Sequence, residues 1–105
     1  MKIDTWAGKS QFEYTGCVAI GTKITFGKAK TIISITRQQY DSLRSTFIGQ
    51  VVKVGTSRDD PQYGSIGEWL KTNVTQTAIA SYVAPILVRE CYAVREGKSE
   101  IRIVR

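Results

Sequence analysis

The side chains that carry most enzymatic chemistry are thinly represented in this chain. It has no histidine and only two cysteines, Cys17 and Cys91. Without an imidazole the usual serine or cysteine triad lacks its general base. Two cysteines fall short of the four Cys or His ligands of a structural zinc site. Cys91 follows closely on Arg89, a neighbour that favours a thiolate, but most residues around it are apolar. A small buried hydrophobe is the simpler expectation for it and for Cys17. Glu96-Gly97-Lys98 spells the Glu-x-Lys fragment of metal-dependent nucleases, with Asp59-Asp60 as a distant acid pair for two-metal chemistry. That motif belongs on a strand in a cleft, whereas Glu96 and Lys98 flank a glycine and read as a turn. The sequence therefore predicts a protein that is not an enzyme, with no catalytic residues, no metal site and no cofactor.

Groups suited to binding are more plentiful. Fifteen Lys and Arg against nine Asp and Glu give a net charge of +6, which attracts polyanions. Lys23, Lys28 and Lys30 lie in a stretch free of acids between Gly16 and Thr31. Arg89, Arg95, Lys98, Arg102 and Arg105 form a second group, diluted by Glu90, Glu96 and Glu100. A solvated surface of mixed sign is the plain reading of such spacing. Phe26 stands beside the first lysines but is the only aromatic in that segment, and a base-stacking platform needs more. Phe26 and Trp69 are expected in the core, and Tyr63, in a polar stretch, at the surface.

The elements that must position these groups can be read from patterning. The 105 residues, 42% hydrophobic and 23% charged, predict a single globular domain. No apolar run approaches a membrane span, and the first residues lack the apolar stretch of a signal peptide, so no membrane association and a cytoplasmic location are expected. Residues 11–15, 17–20, 23–26 and 31–35 alternate or are rich in β-branched side chains, and glycines at 16, 21 and 27 punctuate them. They predict a small antiparallel meander.

Thr36 and Gln39 then form a capping box, with Ile35 and Tyr40 at hydrophobic-staple positions. Tyr40, Leu43, Phe47 and Ile48 share a stripe that stops at Gly49, which predicts a helix over 36–48. A short strand over 50–54 and a polar loop over 55–64 follow. Ser65 and Glu68 make a second capping box for a helix over 65–73 whose Ile66, Trp69 and Leu70 face inward. Asn73 or Thr75 caps a helix over 75–90 with Ile79, Tyr82, Val83, Ile86 and Leu87 as its buried stripe. Pro85 predicts a kink or an early end near Ala84. Period-two residues around Glu96-Gly97-Lys98-Ser99 predict a hairpin over 92–104.

Helix, strand, helix, helix and hairpin, in that order, resemble a winged helix-turn-helix. The most specific stretch is Ile86-Leu87-Val88-Arg89-Glu90-Cys91-Tyr92-Ala93-Val94-Arg95-Glu96-Gly97-Lys98-Ser99, similar to a recognition helix running into its wing. The family usually has glycine where Cys91 stands, because the chain turns there with positive φ. The long loop before Ser65 and the internal Pro85 also depart from the pattern. The resemblance implies an α+β fold, winged-helix-like over 36–105, with an N-terminal antiparallel β extension over 1–35 in the same single domain.

It also implies a nucleic-acid surface. The second helix of the turn would enter the major groove with Thr75, Gln76, Thr77 and Ser81 toward the bases, and Ala80 and Ala84 on the same exposed side. Gln76 suits adenine, and Thr77 suits an acceptor or a phosphate. No Arg or Lys lies on that face. Arg95, Lys98 and Arg102 of the wing would contact phosphates. The plainer reading is that Thr75 and Gln76 cap a helix while Arg95 and Arg102 are the solvated face of a hairpin.

The whole chain further resembles small bacterial proteins carried on mobile gene cassettes, of the integron cassette type. Ile35 to Arg58, Gly64 to Leu70 and Ala78 to Tyr92 carry that likeness, which implies no activity. The expected function is DNA binding. The alternative is a protein-interaction or accessory module, with a homodimer or protein partner held through the N-terminal β region.

Overall fold

Period-two patterning in the first third of the chain builds an antiparallel sheet whose strands lie in sequence order. In the computed structural model, which describes residues 1–105, these strands are β1 (Lys2–Asp4), β2 (Gln11–Cys17), β3 (Gly21–Phe26) and β4 (Thr31–Thr36). Phe12, Tyr14, Thr22, Ile24 and Ile35 are buried on the inner face, while Gln11, Glu13, Thr15, Lys23, Ile32 and Ser34 are exposed on the other. β1 has one half-buried apolar residue in three, too little pattern to be read from sequence.

Of the apolar run 17–20, expected as a strand, Cys17 ends β2 and Val18, Ala19 and Ile20 are the turn between β2 and β3. Gly16 and Gly21 both have positive φ, and a Cβ on Gly16 would collide with the Gly21 carbonyl, so the chain reverses there. Val18 plugs the core from this turn, whereas Ile20 is 74% exposed.

The remainder forms α1 (Arg37–Phe47), β5 (Val51–Lys53), α2 (Ile66–Asn73), α3 (Ala80–Arg89), β6 (Ala93–Arg95) and β7 (Glu100–Ile103). The last three strands make a second antiparallel sheet, ordered β5-β7-β6. The capping box expected at Thr36 forms in full and the one expected at Ser65 forms in half. Thr36 Oγ1 accepts from the Gln39 amide at 3.1 Å and Gln39 Oε1 accepts from the Thr36 amide at 2.9 Å. Ser65 Oγ accepts from the Glu68 amide, but the Glu68 carboxylate takes the Gly64 amide rather than that of Ser65. The start of α2 docks on the end of β5: the Gly67 amide donates to the Val54 carbonyl at 2.8 Å. A Cβ on Gly67 would collide with the Gly55 carbonyl, so only glycine permits this approach.

α3 starts at Ala80, not at 75. The two expected caps bond elsewhere: Asn73, the last residue of α2, donates from Nδ2 back to the Trp69 carbonyl, and Thr75 Oγ1 accepts from the Thr77 amide in a local turn. The residue that caps α3 is Ile79, which makes no side-chain bond. Nor does the helix end near Ala84, for it runs through Pro85 to Arg89. Proline cannot donate to the Ser81 carbonyl. That carbonyl instead accepts from the Trp6 amide at 2.9 Å.

One continuous core of 21 buried residues draws on both sheets and all three helices, so the 1–35 segment is packed into the domain. Tyr82 of α3 stacks on Phe26 at 4.4 Å and meets Phe12 edge-on at 5.1 Å. The hydroxyls of Thr22 and Tyr40 share a buried hydrogen bond of 2.8 Å that ties β3 to α1. No helix is long and apolar enough to cross a membrane.

Candidate functional site

The residues expected to face nucleic acid do not share one surface element. Thr75, Gln76 and Thr77 lie in the connection between α2 and α3, and Ser81 is half-buried in the first turn of α3. Ala80 and Ala84, expected on an exposed side, are 2% and 0% exposed. The cause is the first sheet. The Trp6 segment lies against the side of α3 that a groove-reading helix would keep open, its amide on the Ser81 carbonyl and Ile3 and Trp6 beside Pro85 and Val88, while Phe12 and Phe26 pack on Tyr82 of the expected stripe. Within Ala80–Arg89 only Arg89 is exposed.

In the C-terminal hairpin, the register pairs Arg95 with Ile101 and Val94 with Arg102. Directly opposed residues share a face and successive ones alternate, so Arg95 and Arg102 project from opposite faces. Arg95 lies on the Trp6 ring, 4.0 Å from its centroid. Its guanidinium donates to the carbonyls of Trp6 (2.9 Å), Gly97 (3.2 Å) and Lys98 (3.3 Å). Arg102 Nε meets Glu96 Oε2 at 3.0 Å. Trp6 Nε1 donates to the Lys98 carbonyl at 2.8 Å. The structure thus brings Ser81, Arg95 and Lys98 together around Trp6, and leaves Arg102 on the far face. Beside Trp6, a pocket of about 260 Å³ is lined by Ile3, Asp4, Pro85, Val88 and Arg89 among others. Trp6 is the organising residue that sequence reasoning missed; its one signal was the lone aromatic ahead of β2.

Two further side chains behave unlike the expectation. Cys91 is exposed, not buried, and has φ +67°. The positive φ expected where the winged-helix family has glycine is present. Glu90 is a tether, not a solvated charge: its carboxylate accepts from the Tyr14 hydroxyl and from the Val18 amide, each at 2.8 Å. Burial, reinforced by the bond to Glu90 and its charge, pushes the Tyr14 hydroxyl up to about 12. Burial also raises Tyr40 and Tyr82 above the ordinary tyrosine value. Tyr63 projects from the 55–64 loop and is 96% exposed, as expected.

The surface with the clearest unmet bonding capacity is the free edge of β4. This strand pairs with β3 and carries no strand on its other side. Its ladder with β3 is continuous over six pairs, without a bulge. The Thr36 amide is bound by Gln39 rather than by β3, and antiparallel bonding alternates along a strand. The amides of Ile32 and Ser34 therefore also face outward. The sequence Thr31-Ile32-Ile33-Ser34-Ile35-Thr36 contains no charge and no proline, the usual devices that blunt a sheet edge. Ile32 is 61% exposed.

Cations surround the edge. Lys28 and Lys30 precede it, Arg37 follows it, and Lys23 lies opposite Ser34 in the register. The three lysines make no salt bridge, and Arg37 reaches Asp41 at 3.7 Å with its side chain 68% exposed. The lysines and a partner edge in the N-terminal β region were both legible in the sequence, since the last strand of a meander ends its sheet; that no strand of the second sheet covers β4 was not. Comparison with protein-family models, curated proteins and solved structures finds no match to this chain.

Proposed function

We propose that the protein is a non-catalytic interaction module that takes up an extended polypeptide by strand addition along the free edge of β4. One observation carries this reading: a six-residue, unblunted edge strand whose Ile32 and Ser34 amides face outward. An incoming strand gains main-chain hydrogen bonds there, while its alternate side chains meet the faces of the sheet. The scaffold behind it is read as winged-helix-like, since α1, β5, α2, α3, β6 and β7 follow that order. Its third helix serves as a core element. A base-reading role would need that helix open to solvent, and only Arg89 is exposed on it. The geometry therefore favours a protein partner over base edges.

The test is the affinity of a labelled extended peptide of alternating valine and threonine for the intact protein and for Ser34→Pro. Proline at an outward-facing edge position removes a donor that β3 does not use. Folding should survive, shown by an unchanged circular dichroism spectrum, while peptide binding is lost. Undiminished binding by Ser34→Pro, or no peptide binding beside tight binding of duplex DNA, would contradict the proposal.

A further inference from the structure

We infer that the strand accepted by β4 is acidic, with a carboxylate seated between Lys23 and Arg37; this rests on the strand-addition reading. At the C-terminal end of β4 a shallow groove of about 720 Å³ runs from the β2–β3 turn to the start of α1. It is lined by Lys23 and Arg37, by Gly16, Gly21 and Thr22, and by the exposed Ile20. None of its lining residues is acidic. Lys28 and Lys30 stand at the other end of the strand. The bonding edge is thus uncharged along its length and cationic at both ends.

That distribution selects among occupants. A second copy of this chain pairing antiparallel would bring the Lys28–Lys30 end of one β4 against the Arg37 end of the other. Parallel pairing would set lysines on lysines and Arg37 on Arg37. Like charges brought together across a strand pair disfavour both arrangements. An extended segment with carboxylates flanking a β-branched centre meets opposite charge at each end and apolar Ile32 between. The charges steer encounter and set specificity, and the edge bonds supply the register.

The experiment compares three labelled peptides with the same valine–threonine centre: one with paired glutamates at both ends, one uncharged, one with paired lysines. Each is titrated into the full chain, into Lys23→Glu/Arg37→Glu and into Ser34→Pro. The glutamate peptide should bind the wild type at least about tenfold more tightly than the uncharged one at low salt, and the gap should shrink as salt rises. The double reversal should erase the gap while leaving the uncharged peptide within about twofold. Lys23→Gln/Arg37→Gln is the milder variant that should narrow it without charge repulsion.

Equal binding of the glutamate and lysine peptides, both lost in Ser34→Pro, would overturn the acidic preference and leave strand addition standing. Glutamate-peptide binding that Ser34→Pro does not weaken would instead overturn strand addition itself. A concentration-dependent dimer in sedimentation with no peptide binding, or displacement of the peptide by a single-stranded oligonucleotide, would overturn the assignment of the partner.

Discussion

Glu90 counts as surface charge in the sequence and acts in the structure as the tie between the end of α3 and the β2–β3 hairpin. It accepts a buried main-chain amide, Val18, and a largely buried phenol, Tyr14. Glu90→Ala leaves the Val18 amide without a partner and should lower unfolding free energy by about 2–3 kcal/mol in urea titrations. Burial of Tyr14, reinforced by the Glu90 bond and charge, also sets a pH dependence. The folded state raises Tyr14 from 10.0 to about 12, so it favours the neutral phenol. The resulting stability is fully present below pH 10 and is lost as pH rises through about 12. Glu90→Ala should flatten that alkaline decline. Cys91 gives the opposite sign. At φ +67° a side chain is strained, so Cys91→Gly should stabilise by about 1 kcal/mol, seen as a raised denaturation midpoint without a change in slope. The turn at Cys91 was legible, because a helix running into a hairpin demands it. Its exposure and the Glu90 tether were not, because each depends on where distant chain segments pack.

At the scale of elements, what the sequence reveals divides along the range of the bonds. The caps at Thr36 and Ser65 and the hairpin around Gly97 are decided within four residues, and they form where the residue types indicate. The start of α3 is different. Asn73 and Thr75 are both competent caps, but each bonds within its own turn, and α3 begins uncapped under the Trp6 segment. Pro85 shows the same dependence on a distant partner. An interior proline usually costs about 3 kcal/mol, part of it through a carbonyl left without its donor. Here the Ser81 carbonyl is occupied by the Trp6 amide. Pro85→Ala should therefore recover less than about 1 kcal/mol in equilibrium denaturation, since the restored amide competes for an acceptor already in use. A gain near the full amount would show that the Trp6 bond does not compensate.

At the scale of the whole molecule, the decisive event is the packing of the first sheet over α3, which closes one surface and leaves another open. Ala80, Ala84, Pro85 and Val88 make the side of α3 opposite its stripe apolar too, and a helix apolar on all sides belongs in a core. That signal was present in the sequence, masked by the resemblance of the element order to a DNA reader. The meander made β4 the last strand of its sheet, but nothing local shows that its outer side stays bare rather than pairing with a strand from the second half of the chain. Strand addition there is tested most directly by amide hydrogen exchange, residue by residue, on the full chain with and without the glutamate-flanked peptide. Outward amides of Ile32 and Ser34 should exchange freely in the unbound protein and become strongly protected on binding, with little change along α3. Unchanged exchange in β4, with new protection at Thr75 to Thr77 on addition of duplex DNA, would contradict it.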